Sequence, residues 1–279
     1  MVAIATAEEN LREGEIATAL KLLQDKVRAV PADAKSRIFL FQLLAVMGQW
    51  ERALNQLDVA ATLDASALAM AQMYREALRC ELLRAEVFAG KRSPMIFGEP
   101  EQWLALLVES LLLTGRGQFA QAQKLRADAF DSAPGSPGRI DGVAFDWIAD
   151  ADMRLGPILE AIVNGRYYWI PFSRLSRIDI DQPADLRDVV WMPAHFEFSN
   201  GGDAVGLIPS RYPGSETSAD GAICLARKTV WEELSPDVFH GLGQRVLTTS
   251  VGEHPLMDVR SIVLGEASVA NTAAERTDA

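Results

Sequence analysis

Four carboxylates crowd one stretch of the chain: Asp146, Asp150, Asp152 and Glu160 all fall within FDWIADADMRLGPILE. Wound into a helix, they would come near one face and offer hard oxygen ligands to a divalent cation. Aspartates in a first helical turn would equally complement the helix dipole with no metal present, and no histidine stands close in sequence to complete a ligand set. His195, His240 and His254 are far apart, and Cys80 and Cys224 are too few for a disulfide framework or a four-thiolate zinc site. The chain has no G-x-S-x-G, no H-E-x-x-H, no C-x-x-C and no phosphate-binding G-x-x-x-x-G-K-[ST]. GLGQR, residues 241–245, holds a bare G-x-G without the third glycine and reads as a turn before a strand. The expectation is a protein that is not an enzyme and needs no cofactor and no metal. A metal-dependent hydrolase using Asp146, Asp150 and Asp152 stays open as the alternative.

The elements that would position these residues follow from composition and period. A chain of 279 residues, 49% of them hydrophobic, has room for two domains. No window approaches 18 uninterrupted apolar residues, and the start lacks the basic-then-apolar order of a secretory signal, so neither membrane insertion nor export is expected. With no disulfide framework, a cytoplasmic location fits. The net charge of -11 argues against a broad nucleic-acid footprint, which needs a positive patch.

The first half repeats itself. Gly14, Ala19, Leu20 and Pro31 are answered by Gly48, Ala53, Leu54 and Ala65 at a spacing of 34, the tetratricopeptide period. A third copy places Gly117, Phe119, Ala122 and Pro134 a further 69 residues on from Gly48, Trp50, Ala53 and Ala65. A helix pair needs a glycine in its tight turn and a small residue where the helices cross. Residues 1–140 are thus expected to form a tetratricopeptide-like α-helical repeat, helical over most of 7–131. Stacked pairs leave a concave face lined by the first helix of each pair, a surface that commonly binds peptides. Its candidate lining is Lys35, Ile38, Phe39, Gln42 and Val46, then Gln72, Met73, Glu76 and Arg79, then Leu104, Leu107, Val108 and Leu111. This mostly apolar set suits one side of an amphipathic helix. The same residues would serve equally as core against a second domain or a second copy.

The Pro/Gly-rich SAPGSPGRIDG, residues 132–142, marks a boundary. A helical pattern resumes over 141–165, read as connecting helices broken at Gly156-Pro157 and stopped by Asn164-Gly165. RYYWIPF then opens a β-rich domain, 166–264, whose short β-favouring runs argue an antiparallel sheet or small barrel. Its clearest hairpin is FEFSNGGDAVGLIP, and Ile178 and Ile180 alternate with Arg177, Asp179 and Asp181 as in a strand with one wet face. The run AICLARKTVWEEL is counted among the strands, and a tail of small polar residues, 265–279, is expected to fray. The fold class is α+β.

Several stretches together resemble the ImpE/TagJ family: RIFLFQLLAVMGQWERALNQLD (37–58), GEPEQWLALL (98–107), FDWIADADMRLGPILEAIVNGRYYWIPF (145–172), RDVVWMPAHFEF (187–198), LIPSRYPGSE (207–216) and GLGQRVL (241–247). The likeness spans most of residues 10–262. It implies a cytoplasmic, non-enzymatic accessory of the bacterial type VI secretion system. The implied partner is the N-terminal helix of the small contractile-sheath subunit, with an indirect link to sheath assembly or to recycling by a ClpV-type ATPase. No nucleic acid, membrane or catalytic residue is implied. In that setting NGRYYWIPF is expected to join the helical half to the β half, with Trp169 and Phe172 buried, and a stacking site for a ligand ring is the alternative. A general repeat scaffold for another partner also remains open.

Overall fold

A computed structural model describes residues 2–236 and 238–265. The first half is helical: α1 (Val2–Glu13), α2 (Ile16–Ala29), α3 (Ala34–Val46), α4 (Trp50–Leu63) and α5 (Leu68–Phe88), then, after the two-residue strand β1 (Met95–Ile96), α6 (Gln102–Gly115) and α7 (Phe119–Ser132). Helix α2 shows why: Ile16, Ala19, Leu23 and Val27 recur at helical spacing and are its buried residues. In α4 the buried residues are Ala53, Leu57, Ala60 and Ala61, mostly small. The repeated glycines sit between paired helices, α1–α2, α3–α4 and α6–α7, all in the left-handed region (Gly14 φ 86, Gly48 φ 64, Gly117 φ 74). A side chain at Gly48 would also meet Glu216 Cγ at 2.5 Å, so this turn is pressed against the second half of the chain.

The second half contributes β2 (Gly138–Ile140), β3 (Val143–Phe145), β4 (Ile148–Asp150), β5 (Ile158–Val163), β6 (Arg166–Pro171), β7 (Leu175–Ile180), β8 (Trp191–Phe198) and β9 (Asp203–Pro209). After the short helix α8 (Gly221–Cys224) come β10 (Thr229–Ser235), β11 (Val238–Gly243), β12 (Val246–Thr249), β13 (Gly252–Pro255) and β14 (Ser261–Leu264). A nine-stranded sheet runs β1-β6-β5-β9-β8-β7-β14-β2-β3. Its pairings are antiparallel except for β1 beside β6. A ribbon, β10–β11, and a three-stranded sheet, β13-β12-β4, complete it. The molecule is α+β, and among the described residues no helix is long and apolar enough to cross a membrane.

The large sheet buries both faces. Along β5, Ile158 and Ile162 join the core shared with the helices, while Leu159, Ala161 and Val163 join a second core on the other side. On β6, Tyr167 and Trp169 face the helices, and Ile170 with the following Phe172 faces away. Trp169 and Phe172 are fully buried, and the Trp169 ring lies 6.2 Å from Phe88 of α5. The aromatic run is internal and joins the two halves.

Three expectations are corrected. Residues 141–165 are not connecting helices but β3, β4 and β5 with their turns. ILEAIV is apolar at every position but Glu160 because both faces of β5 are buried, and a short, nearly continuous apolar run does not distinguish helix from strand. Asn164 (φ 51) and Gly165 (φ 71) form the turn of the β5–β6 hairpin, since the positive torsions that stop a helix also make a tight hairpin. GLGQR is not a turn: Gly241 and Gly243 lie in β11. The AICLARKTVWEEL run splits into α8 and β10. The tail beyond Gly265 lies outside the described residues.

Candidate functional site

Three of the four carboxylates singled out for metal chemistry, Asp150, Asp152 and Glu160, are instead matched to arginines. Arg245, fully buried on the approach to β12, donates Nη1 to Asp150 and Nη2 to Glu160. Glu160 also takes Arg84 of α5 side-on, Nε to Oε1 at 2.7 Å and Nη2 to Oε2 at 2.9 Å, and accepts the Tyr167 hydroxyl. Burial alone would raise the Glu160 pKa, but Arg84 and Arg245 outweigh it and hold the group down at about 2. Burial pushes Asp150 up to about 6 despite Arg245, with Asp152 and Glu160 adding like charge. Asp152 pairs with Arg154 (Nη2 to Oδ2, 2.6 Å) and accepts the Gly241 amide at 3.0 Å. Asp146 is exposed, its amide donating to Ser250 Oγ at 2.8 Å.

Among the described residues no group of three or more His, Cys, Asp or Glu is placed to hold a metal ion. The histidines face different partners: His195 lies 3.4 Å from Asp203, His240 3.7 Å from Glu232, and His254 3.0 Å from Thr249 Oγ1. Both thiols are buried, and burial raises each pKa, Cys80 to about 12. What the arrangement does is hold α5 to the sheet through an ion network sealed from water.

The candidate peptide-binding residues separate into three groups rather than one trough. Lys35, Ile38, Phe39 and Gln42 line an open cleft of about 690 Å³. Its second wall is Glu8, Leu11 and Arg12 of α1, and its third is the strap of residues 181–190 that joins β7 to β8, with Leu186 and Val189 facing in. Val46, one turn beyond Gln42, is fully buried, its carbonyl accepting Arg211 Nη1 at 2.8 Å. Gln72, Met73 and Glu76 line a different cleft, of about 410 Å³, against Ile162 and Leu207 of the sheet, and exposed Arg79 pairs with Glu76 at 2.7 Å. Leu104, Leu107 and Leu111 are core, and Val108 is half-buried against them.

The structure does not bring these residues into one continuous groove, because the sheet and the strap pack against the helices among them. Trp191 of β8 lies 5.6 Å from Tyr74 and 6.2 Å from Trp50, ring to ring, and Arg187 of the strap stacks 5.0 Å over Tyr74. Of the two open clefts on the expected residues, the one between α1, α3 and the strap is the larger. The strap is a firm wall, since Asp188 Oδ2 accepts the amides of Ala184 (2.6 Å) and Asp185 (2.9 Å) and Ser210 Oγ bonds the Asp188 carbonyl. Sequence reasoning missed its contribution, although DQPADLRDVV carries a signal: two apolar positions three apart behind a proline. A further cleft, about 320 Å³, lies beside half-exposed Trp147, with Phe130, Pro134 and Met153 around it.

A family model described as ImpE protein matches residues 142–263. The chain is 52% identical over 256 residues to the "Type VI secretion system accessory component TagJ" of Pseudomonas aeruginosa, covering 92% of this chain and 90% of that protein. The crystal structure of protein VPA1032 from Vibrio parahaemolyticus superimposes with a TM-score of 0.85 at 25% identity, covering 94% of this chain and 98% of that one.

Proposed function

The chain belongs to the ImpE family, and from that premise we propose that it serves type VI secretion as a non-enzymatic accessory adaptor. In this reading the N-terminal helix of the small contractile-sheath subunit docks in the cleft between α1, α3 and the strap. The protein acts in the cytoplasm, and its link to sheath assembly or to recycling by a ClpV-type ATPase runs through that one contact. The helix hairpins are read as tetratricopeptide-like units of a domain 1–140, with 166–264 as the β-rich domain that supplies the strap.

The observation that carries the proposal is the cleft itself. Leu11, Ile38, Phe39, Leu186, Val189 and Met257 give it an apolar lining with charge at the rim. An amphipathic helix buries one apolar stripe in such a groove and leaves its polar side wet. The groove is walled by tethered elements, so docking need not order a loop first.

A calorimetric titration of the full chain with a synthetic peptide of the sheath subunit's N-terminal helix tests this. Saturable binding that is lost in Phe39→Asp, with the variant still folded, supports it. No binding to a folded wild-type sample overturns it.

A further inference from the structure

We infer that the α1–α3–strap cleft selects its helix by charge as well as shape, favouring a segment with acidic residues beside its apolar stripe. This rests on the adaptor reading above and adds a recognition rule to it. Ile38, Phe39 and Leu186 would accept almost any aliphatic stripe, so the floor discriminates poorly among amphipathic helices.

The rim is different. Arg12 at the end of α1, Lys35 in the first turn of α3, and Arg227 all border the cleft and are exposed. Among the described residues none of the three has a carboxylate within ion-pair distance, although the chain as a whole carries a net charge of -11.

Two carboxylates share the rim. Asp185 is already paired with Arg187 of its own strap, which leaves Glu8 as the carboxylate without an ion-pair partner. Arg227 is itself occupied, donating to the carbonyls of Leu11 and Arg12 at 2.7 Å each, where it caps the negative end of α1. That leaves Arg12 and Lys35, on two different helices bordering the groove, as cations without an ion pair among the described residues, Lys35 lying near enough to exposed Asp64 to help lower its pKa. A docked helix with Glu or Asp flanking its stripe would meet both, whereas a basic flank would meet repulsion from them and attraction from Glu8 alone. Exposed pairs are individually weak, so two of them amount to about tenfold in affinity at low salt, and the preference should fade as ionic strength rises.

The test uses the full chain, the sheath N-terminal helix peptide, and a derivative of that peptide with every Asp and Glu replaced by Lys. Affinities are read by fluorescence anisotropy at low and high salt, for wild type and for an Arg12→Glu/Lys35→Glu double variant whose fold is checked by circular dichroism. The expected result is about tenfold weaker binding of the derivative to wild type, and a reversed order of the two peptides on the double variant. Equal affinity for both peptides overturns charge selection and leaves the groove reading standing, and a preference that survives the double reversal overturns it as well. Failure of both peptides to bind folded wild type overturns the adaptor reading itself, and this inference with it.

Discussion

Arg84 of α5 and Glu160 of β5 meet in a two-bond, side-on pair 76 residues apart in sequence, both buried. The pair crosses from the helical half to the sheet, and Arg245 extends it to Asp150. Replacing both members of such a pair by apolar groups can be nearly neutral, but removing one leaves a bare charge in a medium that cannot solvate it.

Arg84→Met is accordingly expected to destabilise the fold by about 3–5 kcal/mol, measured by guanidinium unfolding. The Arg84→Met/Glu160→Met double variant should recover only part of that loss, since it removes the Glu160 carboxylate but still leaves buried Glu81 without Arg84 and Arg245 with Asp150 alone. Equal or greater loss in the double variant would show that the pair does more than neutralise itself.

The two carboxylates around Arg245 predict opposite pH slopes. Glu160 drops from an ordinary 4.5 to about 2, so its contribution is fully present above pH 4.5 and is lost as pH falls toward 2. Asp150 rises from 3.8 to about 6, so its contribution is present below pH 3.8 and is lost as pH rises through 6. The stability gap between wild type and Glu160→Gln should therefore widen from pH 2 to 4.5, whereas the gap to Asp150→Asn should narrow from pH 3.8 to 6. Each change is about 3 kcal/mol, from about 1.4 kcal/mol per pKa unit. Parallel slopes in urea titrations across this range would contradict the assignment.

Cys80 is 5% exposed with its pKa pushed up to about 12, and Cys224 is 4% exposed with its pKa also raised. Thiolate, not thiol, reacts with alkylating reagents. Native protein at pH 8 should resist iodoacetamide at both positions and label fully once denatured, as read by intact mass.

Substitutions in the helical half should separate groove from core. Leu107 is 1% exposed, so Leu107→Asp buries a charge without a partner and should abolish the cooperative unfolding transition. Phe39 is half-buried at the cleft, so Phe39→Asp should leave melting within a few degrees of wild type while removing peptide binding. Circular dichroism melts and the peptide titration, run on both variants, check the pair.

Much of this fold was legible because local chemistry leaves few options. The glycines at 14, 48 and 117 announced helix turns, the Ile178/Ile180 alternation announced β7, and Asn200-Gly201 announced the β8–β9 hairpin. Residues 141–165 misled because β5 is buried on both faces and so shows no alternation, and because Asn-Gly stops helices and turns hairpins alike. The candidate groove was half legible: helical period identifies Lys35, Ile38, Phe39 and Gln42 as one face of α3. Period alone does not say that Trp191 would pack against the helices nearby or that residues 181–190 would wall them in, because both come from the second half of the chain. The ion network left one trace in sequence, a glutamate inside ILEAIV, but its partners lie 76 and 85 residues away.

The central claim, that the α1–α3–strap cleft receives the sheath helix, is tested most directly by site-specific photo-crosslinking in secreting cells. A photoreactive residue is placed at Phe39 and, in separate variants, at Met73 and Trp147, which border two other clefts. The account predicts that the small sheath subunit is captured from position 39 and from neither of the others. Capture from 73 or 147 without 39, or no capture of that subunit from any of the three, would contradict it.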